Sequence, residues 1–362
     1  MTYVSIVKCS SYNKSEVYSA VKKSVSLIGG LNIKNGSKVL IKPNLLSPKH
    51  PKLCVTTHPE VVRAIIKLLK LKKCRISVGD SPGINDPVTT AKVAGILQVC
   101  EEEKVNFVPF KKSKSYFYKD ALYMHRFDLC DIISDMDYII NVPKLKTHVL
   151  MNVTLAIKNS FGFMVGTSKG QMHLKMGEKD KFASMLVDLS NFVKPHINII
   201  DGIMGMEGEG PGSGTPKKVG IISASYDSLA LDIVMSRMMG FDPMSILTNK
   251  IALSNKNEDY LKSIKVVGER LKILKFKPAT PQALTFIFSK NVAQFVNRVF
   301  SAKPFINYNK CKACKECIKI CPAKTIIMKN GKAFIKKKKC IRCFCCHEIC
   351  PFHAIDLKKW RL

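Results

Sequence analysis

A mainly parallel α/β sheet domain with helices on both faces, followed by a small α+β domain rich in cysteine, is the fold class this sequence predicts. Three observations carry it. Short β-branched runs alternate with amphipathic segments over roughly the first 250 residues. Nine of the 14 cysteines crowd into the last 60 residues, and those residues repeat themselves with a period of 29. Alternation of strand and helix implies parallel strands with crossover helices, and a fixed-period repeat marks a duplicated unit.

The strand-like runs are Val4–Val7, Lys38–Ile41, Arg75–Val78, Val105–Val108, Tyr138–Val142, Ile197–Ile200 and Val219–Ser223. The cleanest helix is Pro59–Leu71: Thr57 is a good cap, Pro59 suits the first turn, and Val62, Ile65, Ile66 and Leu69 share one face. Ser15–Ile28 stops at Gly29-Gly30, and Leu229–Met239 stops at Gly240. These elements assign residues 1–255 to one α/β domain. Residues 256–302 read as a linker and docking helix: a basic, proline-containing stretch over 273–282, then an apolar stripe through Leu284, Phe288, Phe295 and Val299. Residues 303–362 form the cysteine-rich domain.

That last domain contains Cys311-x2-Cys314-x2-Cys317-x3-Cys321-Pro322, and then Cys340-x2-Cys343-x2-Cys346-x3-Cys350-Pro351. Three thiolates two residues apart wrap one face of a cubane cluster, and the fourth, before proline, crosses to the other cluster. Two 4Fe-4S clusters are therefore expected, one on Cys311, Cys314, Cys317 and Cys350, the other on Cys340, Cys343, Cys346 and Cys321. A zinc ribbon would show two separated C-x2-C knuckles without the third cysteine. Cys345 breaks the repeat, since its equivalent is Glu316, and reads as a spectator thiol beside a cluster. The other five cysteines sit in or beside apolar runs as small core residues. The tail resembles bacterial-type two-cluster ferredoxins over residues 303–357.

Composition narrows the function classes. With 46% apolar residues in 362, the chain can bury a large core, which argues against a disordered basic tail. No run of about 18 apolar residues occurs, and the N-terminus lacks an apolar signal core, so a cytoplasmic protein is expected, in an anaerobic or microaerobic cell where such clusters survive. The net charge is +32. The last 60 residues hold 16 Lys and Arg against Glu316, Glu348 and Asp356, a far denser charge than elsewhere. This predicts an acidic redox partner, or docking on the chain's own first domain, with Lys336–Lys339 as a candidate docking edge. Nucleic acid ranks third, because the lysines are dispersed and aromatics make up only 8%.

In parallel sheets, ligands gather at the carboxyl ends of strands, and the unusual residues collect there. Asp80, Asp201 and Glu207 would bind a divalent cation; Lys42, Lys146 and His148 would hold a carboxylate or phosphate, with His148 handling a proton. The glycine-rich loop from Glu207 to Gly214 would approach an anion through its amides, although it is neither a Walker loop nor a dinucleotide fingerprint. Asp80, Lys146, His148, Asp201 and Glu207 are thus the candidate catalytic residues; His50, His58 and His173 have weaker claims.

The phrases LIKPNLL, VGDSPG, IINVPKLKTH, IKNSFG, DGIMGMEGEGPGSGTP and SYDSLALDIVMSRMMGFDP, in this order over residues 38–245, resemble the signature blocks of the domain of unknown function family 362. The resemblance implies an iron–sulfur-associated protein of anaerobic metabolism, with a C-terminal ferredoxin module as a common companion, and carries no settled substrate. The function expected is a ferredoxin-type electron-transfer protein. It would pass single electrons between a redox partner and a site on the α/β domain, reducing a small anionic substrate as a ferredoxin-coupled oxidoreductase. The alternative is a non-catalytic iron–sulfur carrier, or an assembly factor that recognises a partner protein.

Overall fold

In the computed structural model, residues 1–279 and 303–358 are described. The α/β domain contributes strands β1 (Thr2–Lys8), β2 (Lys38–Pro43), β3 (Arg75–Val78), β4 (Asn106–Phe107), β5 (Ser113–Phe117), β6 (Arg126–Cys130), β7 (Tyr138–Val142), β8 (Lys144–His148), β9 (Asn152–Thr154), β10 (Ile197–Glu207), β11 (Thr215–Ser225) and β12 (Ile264–Gly268). The main sheet runs β12-β1-β11-β10-β7-β2-β3-β4, with β8 on β10 and β9 on β8. Pairing is parallel from β10 through β7, β2 and β3 to β4, and β11 is antiparallel to both β1 and β10. The sheet is therefore mainly parallel, as the alternation of elements predicts, and all seven strand-like runs lie on it. The hairpin β5–β6 stands apart.

Apolar clusters cover both faces. On one side the helices Lys14–Leu27 and Pro59–Lys70 press Val17, Val21, Val62, Ile65 and Leu69 against Val39, Ile41 and Val78. On the other, helix Lys179–Val193 and the segment around Phe163 bury Phe182, Leu186 and Leu189 with Leu40 and Ile139. One cap differs from expectation. The side chain of His58, not Thr57, accepts from Glu60 N to start the second helix. Thr57 Oγ1 donates instead to Val142 O at 2.7 Å and accepts from Asn44 N at 2.8 Å, tying that helix start to β7 and to the end of β2.

The linker expected from residue 256 is, in its described part, a continuation of the α/β domain. β12 pairs in parallel with β1 from Thr2↔Ile264 to Ile6↔Gly268, and Phe276 is buried beside Leu145 and Met239. A short Val-Val strand between charged residues offers too little alternation to be seen in sequence. The docking helix expected over 283–300 lies outside the described residues.

The cysteine-rich domain keeps its duplication in three dimensions. β13 (Lys303–Ile306) and β14 (Ile326–Lys329) map 29 residues on to β15 (Lys332–Ile335) and β16 (Ile355–Lys358), and helix Glu316–Ile320 maps to Cys345–Ile349. β13 pairs with β16 and β14 with β15, so each ribbon takes one strand from each half. Backbone twists repeat too. Ala313, Lys315 and Lys324 have φ of 55°, 63° and 48°, and their equivalents Arg342, Phe344 and His353 have 56°, 61° and 47°.

A lysine-lined pocket between the two domains

The eight cysteines of the two spaced motifs line two cavities. One cavity is walled by Cys311, Cys314, Cys317 and Cys350, and another by Cys321, Cys340, Cys343 and Cys346. Backbone amides point at the crossing sulfurs in both halves: Thr325 N donates to Cys321 Sγ at 3.3 Å, and its repeat equivalent Ala354 N donates to Cys350 Sγ at 3.2 Å. Burial lifts the Cys317 thiol to about 11 and Cys346 well above its ordinary value, so these two thiols stay protonated in isolation. Iron coordination would require thiolates and bring the compensating charge. Among the described residues, no three His, Cys, Asp or Glu side chains are grouped as ligands of a single metal ion. The quartets instead ring a cavity each, as ligands at the corners of a cluster do.

The cysteine domain sits over the carboxyl ends of the sheet strands. Lys49 Nζ donates to Pro351 O at 3.0 Å, and Ser213 Oγ lies 3.0 Å from His353 Nδ1. The glycine loop serves this seam. A Cβ on Gly212 would sit 2.8 Å from Glu348 O, and one on Gly210 would strike the carbonyl of Thr147. Two of the amides expected to meet an anion are already spent: Gly208 N donates to Lys277 O and Gly210 N to Gly208 O. Close backbone approach, rather than ligand binding, accounts for glycine at Gly210 and Gly212.

Between the domains lies a cavity of about 100 Å³. The α/β domain lines it with Lys42, Asp80, Lys146, His148, Lys158 and Lys169; the cysteine domain closes it with Ile320, Cys345, Glu348 and Ile349. Lys42 Nζ pairs with Asp80 Oδ1 at 2.9 Å, and Asp80 Oδ2 accepts from Leu45 N at 2.7 Å. A Cβ on Gly162 would strike both Asp80 Oδ1 and Lys42 Nζ. Lys146 Nζ has three acceptors, Asn44 Oδ1, Val55 O and Pro211 O, so it braces the walls. Lys169 Nζ donates to Ser81 O. Lys158 alone of these lysines makes no hydrogen bond or ion pair among the described residues; its ammonium lies 5.4 Å from the Phe161 ring centre. Thr154 Oγ1, buried at the same wall, also lacks a partner.

Burial dominates the electrostatics. It lowers Lys146 and Lys169 to about 7 and His173 to about 3, and takes His148 well below its ordinary value. His148 is therefore neutral. Its Nδ1 accepts from Leu150 N at 3.0 Å and Met151 N at 3.3 Å, so Nε2 carries the proton and points at Glu348 Oε1, 3.5 Å away. That contact is an N–H facing a carboxyl group and not an ion pair. Burial also raises Glu348, whose Oε1 has no hydrogen-bond partner. A cavity with more cations than anions, one of them unspent, suits a small anion.

Three of the five candidate residues, Asp80, Lys146 and His148, meet in this cavity; Asp201 and Glu207 do not line it. Asp201 pairs with Lys144 at 2.8 Å and accepts from Tyr12 and from His58 N. Glu207 pairs with Lys217 at 2.8 Å and accepts from Lys277 N. With Asp80 spent on Lys42, each carboxylate expected to hold a divalent cation already has an ammonium partner, and the three are not assembled as a cation site. Sequence reasoning missed Lys158, Lys169, Glu348 and the contribution of Cys345. Lys158 lies within the quoted IKNSFG phrase, but nothing in its spacing separates a pocket lysine from a surface one. His58 and His50 cap helices, while His173 lines the pocket, stacked on Phe182.

Comparison with known proteins agrees with this architecture. Residues 39–237 match the family model for a domain of unknown function (DUF362), and residues 303–351 match a 4Fe-4S dicluster domain. The chain is 33% identical over 248 residues to the thylakoid-associated protein sll1697 of Synechocystis sp., covering 68% of this chain and 77% of that protein. Among solved structures it is similar to the lactate racemase apoprotein of Thermoanaerobacterium thermosaccharolyticum. That match has 10% identity and a TM-score of 0.43, and spans 63% of this chain and 54% of the other. No helix among the described residues is long and apolar enough to cross a membrane. The chain belongs to the DUF362 family and carries a C-terminal 4Fe-4S dicluster domain.

Proposed function

We propose that this protein passes single electrons between a redox partner and a small anion held in the pocket between its domains, and so acts as a ferredoxin-coupled oxidoreductase. One observation carries the reading: the pocket has Lys158, Lys169 and His148 on one wall, and on the other the helix that bears Cys345, Glu348 and the cluster ligand Cys346. The two 4Fe-4S clusters held by the crossed quartets would supply one-electron chemistry within the same domain. Lys158 binds the anion and Lys169 adds charge beside it. The Lys42–Asp80 pair and Lys146 hold the walls in place. His148 Nε2–H, on a neutral ring, is positioned to hydrogen-bond the bound molecule and orient it rather than to protonate it. Iron–sulfur chemistry of this kind fits a reducing compartment such as the cytoplasm, with an acidic protein as the electron donor or acceptor.

The test begins with anaerobically purified protein, which should contain about eight iron and eight acid-labile sulfide per chain. About two zinc without sulfide would end the proposal. The reduced protein is then mixed with small anions that carry a reducible group, such as 2-oxo and α,β-unsaturated carboxylates, and with their neutral esters as analogues. Anions should reoxidise it and neutral analogues should not, with the rate saturating in anion concentration. If no anion reoxidises it faster than buffer, and Lys158 variants support cellular function while surface-lysine variants do not, the carrier reading replaces this one.

A further inference from the structure

The duplicated cysteine domain has two equivalent outer faces, one at each end of its pseudo-symmetry, and they have diverged in opposite directions. In the second half the face comprises Ile341, Phe344, Cys345 and Glu348. Phe344 is 2% exposed and packs with Val149 and Ala279 of the α/β domain, while Cys345 and Glu348 close the pocket. This copy is the domain's intramolecular dock.

Shifted by 29 residues, the same positions in the first half are Lys312, Lys315, Glu316 and Lys319. The backbone is conserved between the copies, with φ of 63° at Lys315 and 61° at Phe344, so the two faces present their side chains alike. The chemistry is not conserved. Two apolar positions are now exposed lysines, and Lys319 stands where Glu348 stands in the other copy. The face's one acid, Glu316, is spent on Lys319 at 2.7 Å. Neither Lys312 nor Lys315 has an ion-pair partner among the described residues. Beside them is Cys314, the only member of either quartet that is exposed among the described residues; its equivalent Cys343 is half-buried.

The geometry points to this lysine-bearing face as the docking surface for an acidic one-electron carrier protein. A face built to seat a protein domain in one copy is left open and made basic in the other, next to the most exposed cluster ligand. The carrier gives up one electron as this chain takes it, or the reverse. The inference rests on reading the domain as an electron carrier. It places the exchange with the partner at the Cys311–Cys314–Cys317–Cys350 quartet, while the pocket is closed mainly from the second copy, by Cys345, Glu348 and Ile349, with Ile320 the first copy's contribution. Long-range attraction between a basic face and an acidic carrier also steers the encounter.

The experiment measures binding of a small acidic two-cluster ferredoxin to the full, iron-loaded chain by anaerobic calorimetry, with no anion present. Wild-type protein should bind at low salt and lose about tenfold or more in affinity at about 0.3 M salt. The double variant Lys312→Glu/Lys315→Glu should weaken low-salt binding by about tenfold or more. Lys337→Glu/Lys338→Glu carries the same charge change on the other exposed basic run and should change it by less than about threefold. Equal losses in both variants, a loss only in the second, or no binding by wild type would overturn the assignment. Iron content verifies that each variant is loaded; if the glutamates disturb it, Lys312→Gln/Lys315→Gln should still weaken binding, and an unchanged affinity there would count against the face. Because pocket anions play no part in this measurement, its failure is separate from failure of anion-driven reoxidation.

Discussion

Two clusters of lysine, carboxylate and histidine lie at the same edge of the same sheet, and only one of them is a cavity. At the first, Lys144 and Asp201 face each other in register across β8 and β10, Tyr12 donates to the same carboxylate, and the Tyr12 and His58 rings stack at 3.5 Å. At the second, the domain seam leaves about 100 Å³ open, and Lys158 makes no hydrogen bond or close ion pair among the described residues, with the Phe161 ring and the more distant Glu348 as its neighbours. The residue types are alike; the difference is whether each charge has been matched from within the protein. A buried charge that is already matched stabilises the fold or fixes its register, whereas an unmatched one beside a cavity is available to a ligand.

Breaking the first cluster should have the largest effect. Asp201→Ala strands the ammonium of Lys144 in a fully buried site and removes the acceptor of Tyr12 and His58 N, so a loss of about 3–5 kcal/mol of stability is expected. Urea denaturation of the iron-loaded protein measures it, and anion-driven reoxidation per folded molecule should be unchanged. A loss below about 1 kcal/mol would mean that the cluster is not the matched structural network its distances describe.

The second cluster should respond in the opposite sense. Lys158→Ala deletes no hydrogen bond within the protein, so stability should move by less than about 1 kcal/mol, and upward if at all, because an unpaired buried cation is costly. Anion affinity, read from the concentration dependence of reoxidation, should fall by about tenfold or more, the worth of one charge-assisted hydrogen bond. Lys146→Met sharpens the contrast: this lysine lines the same cavity, but with three protein acceptors it should cost stability. Should Lys158→Ala destabilise and Lys146→Met not, the roles assigned to the two are reversed.

This contrast also explains how much could be read from the sequence. The 4Fe-4S dicluster domain was legible because cysteine spacing and a 29-residue period are local properties of the chain. The sheet was legible because its strands are continuous apolar runs such as KVLI and YIINV. Gathering of Asp80, Lys146 and His148 followed from strand ends alone. Beyond that, residue type misleads. Asp201 and Glu207 look like ligands, but a lysine from a neighbouring strand claims each, and that pairing depends on register, which sequence does not print. Lys158 and Glu348 are 190 residues apart in the chain and meet only because one domain docks on the other. β12 escaped notice for a similar reason, since its partner β1 lies at the far end of the α/β domain.

Acidity provides a smaller, graded test. Burial lowers Lys169 from its ordinary 10.5 to about 7 in the folded protein. Between these values the unfolded chain holds a proton that the folded chain has lost, so stability should rise as pH increases from about 7 towards 10. Anion affinity should run the other way and decline through the same onset, approaching a tenfold loss per unit, because a neutral amine attracts no anion. Lys169→Met should make both trends shallower while leaving the cavity in place, the remainder being the share of Lys146, which burial also lowers to about 7. If both quantities rise together with pH, the charge state of Lys169 does not govern the pocket.

The smallest effect should come from the residue that breaks the repeat. Cys345 replaces the equivalent of Glu316 and lies at the pocket wall, buried, beside the ligand Cys346. Its Sγ does not line either quartet's cavity, although it lies 4.0 Å from Cys343 O and shares a hydrogen bond with the Cys343 thiol. Cys345→Ser should therefore leave the iron content at about eight per chain, whereas Cys346→Ser should lose up to about four. The comparison is demanding, because the two residues are adjacent on one short helix and equally buried. A loss of iron from Cys345→Ser would show that the odd thiol belongs to the metal centre after all, and the pocket would then touch a ligand directly rather than the wall of the domain that holds it.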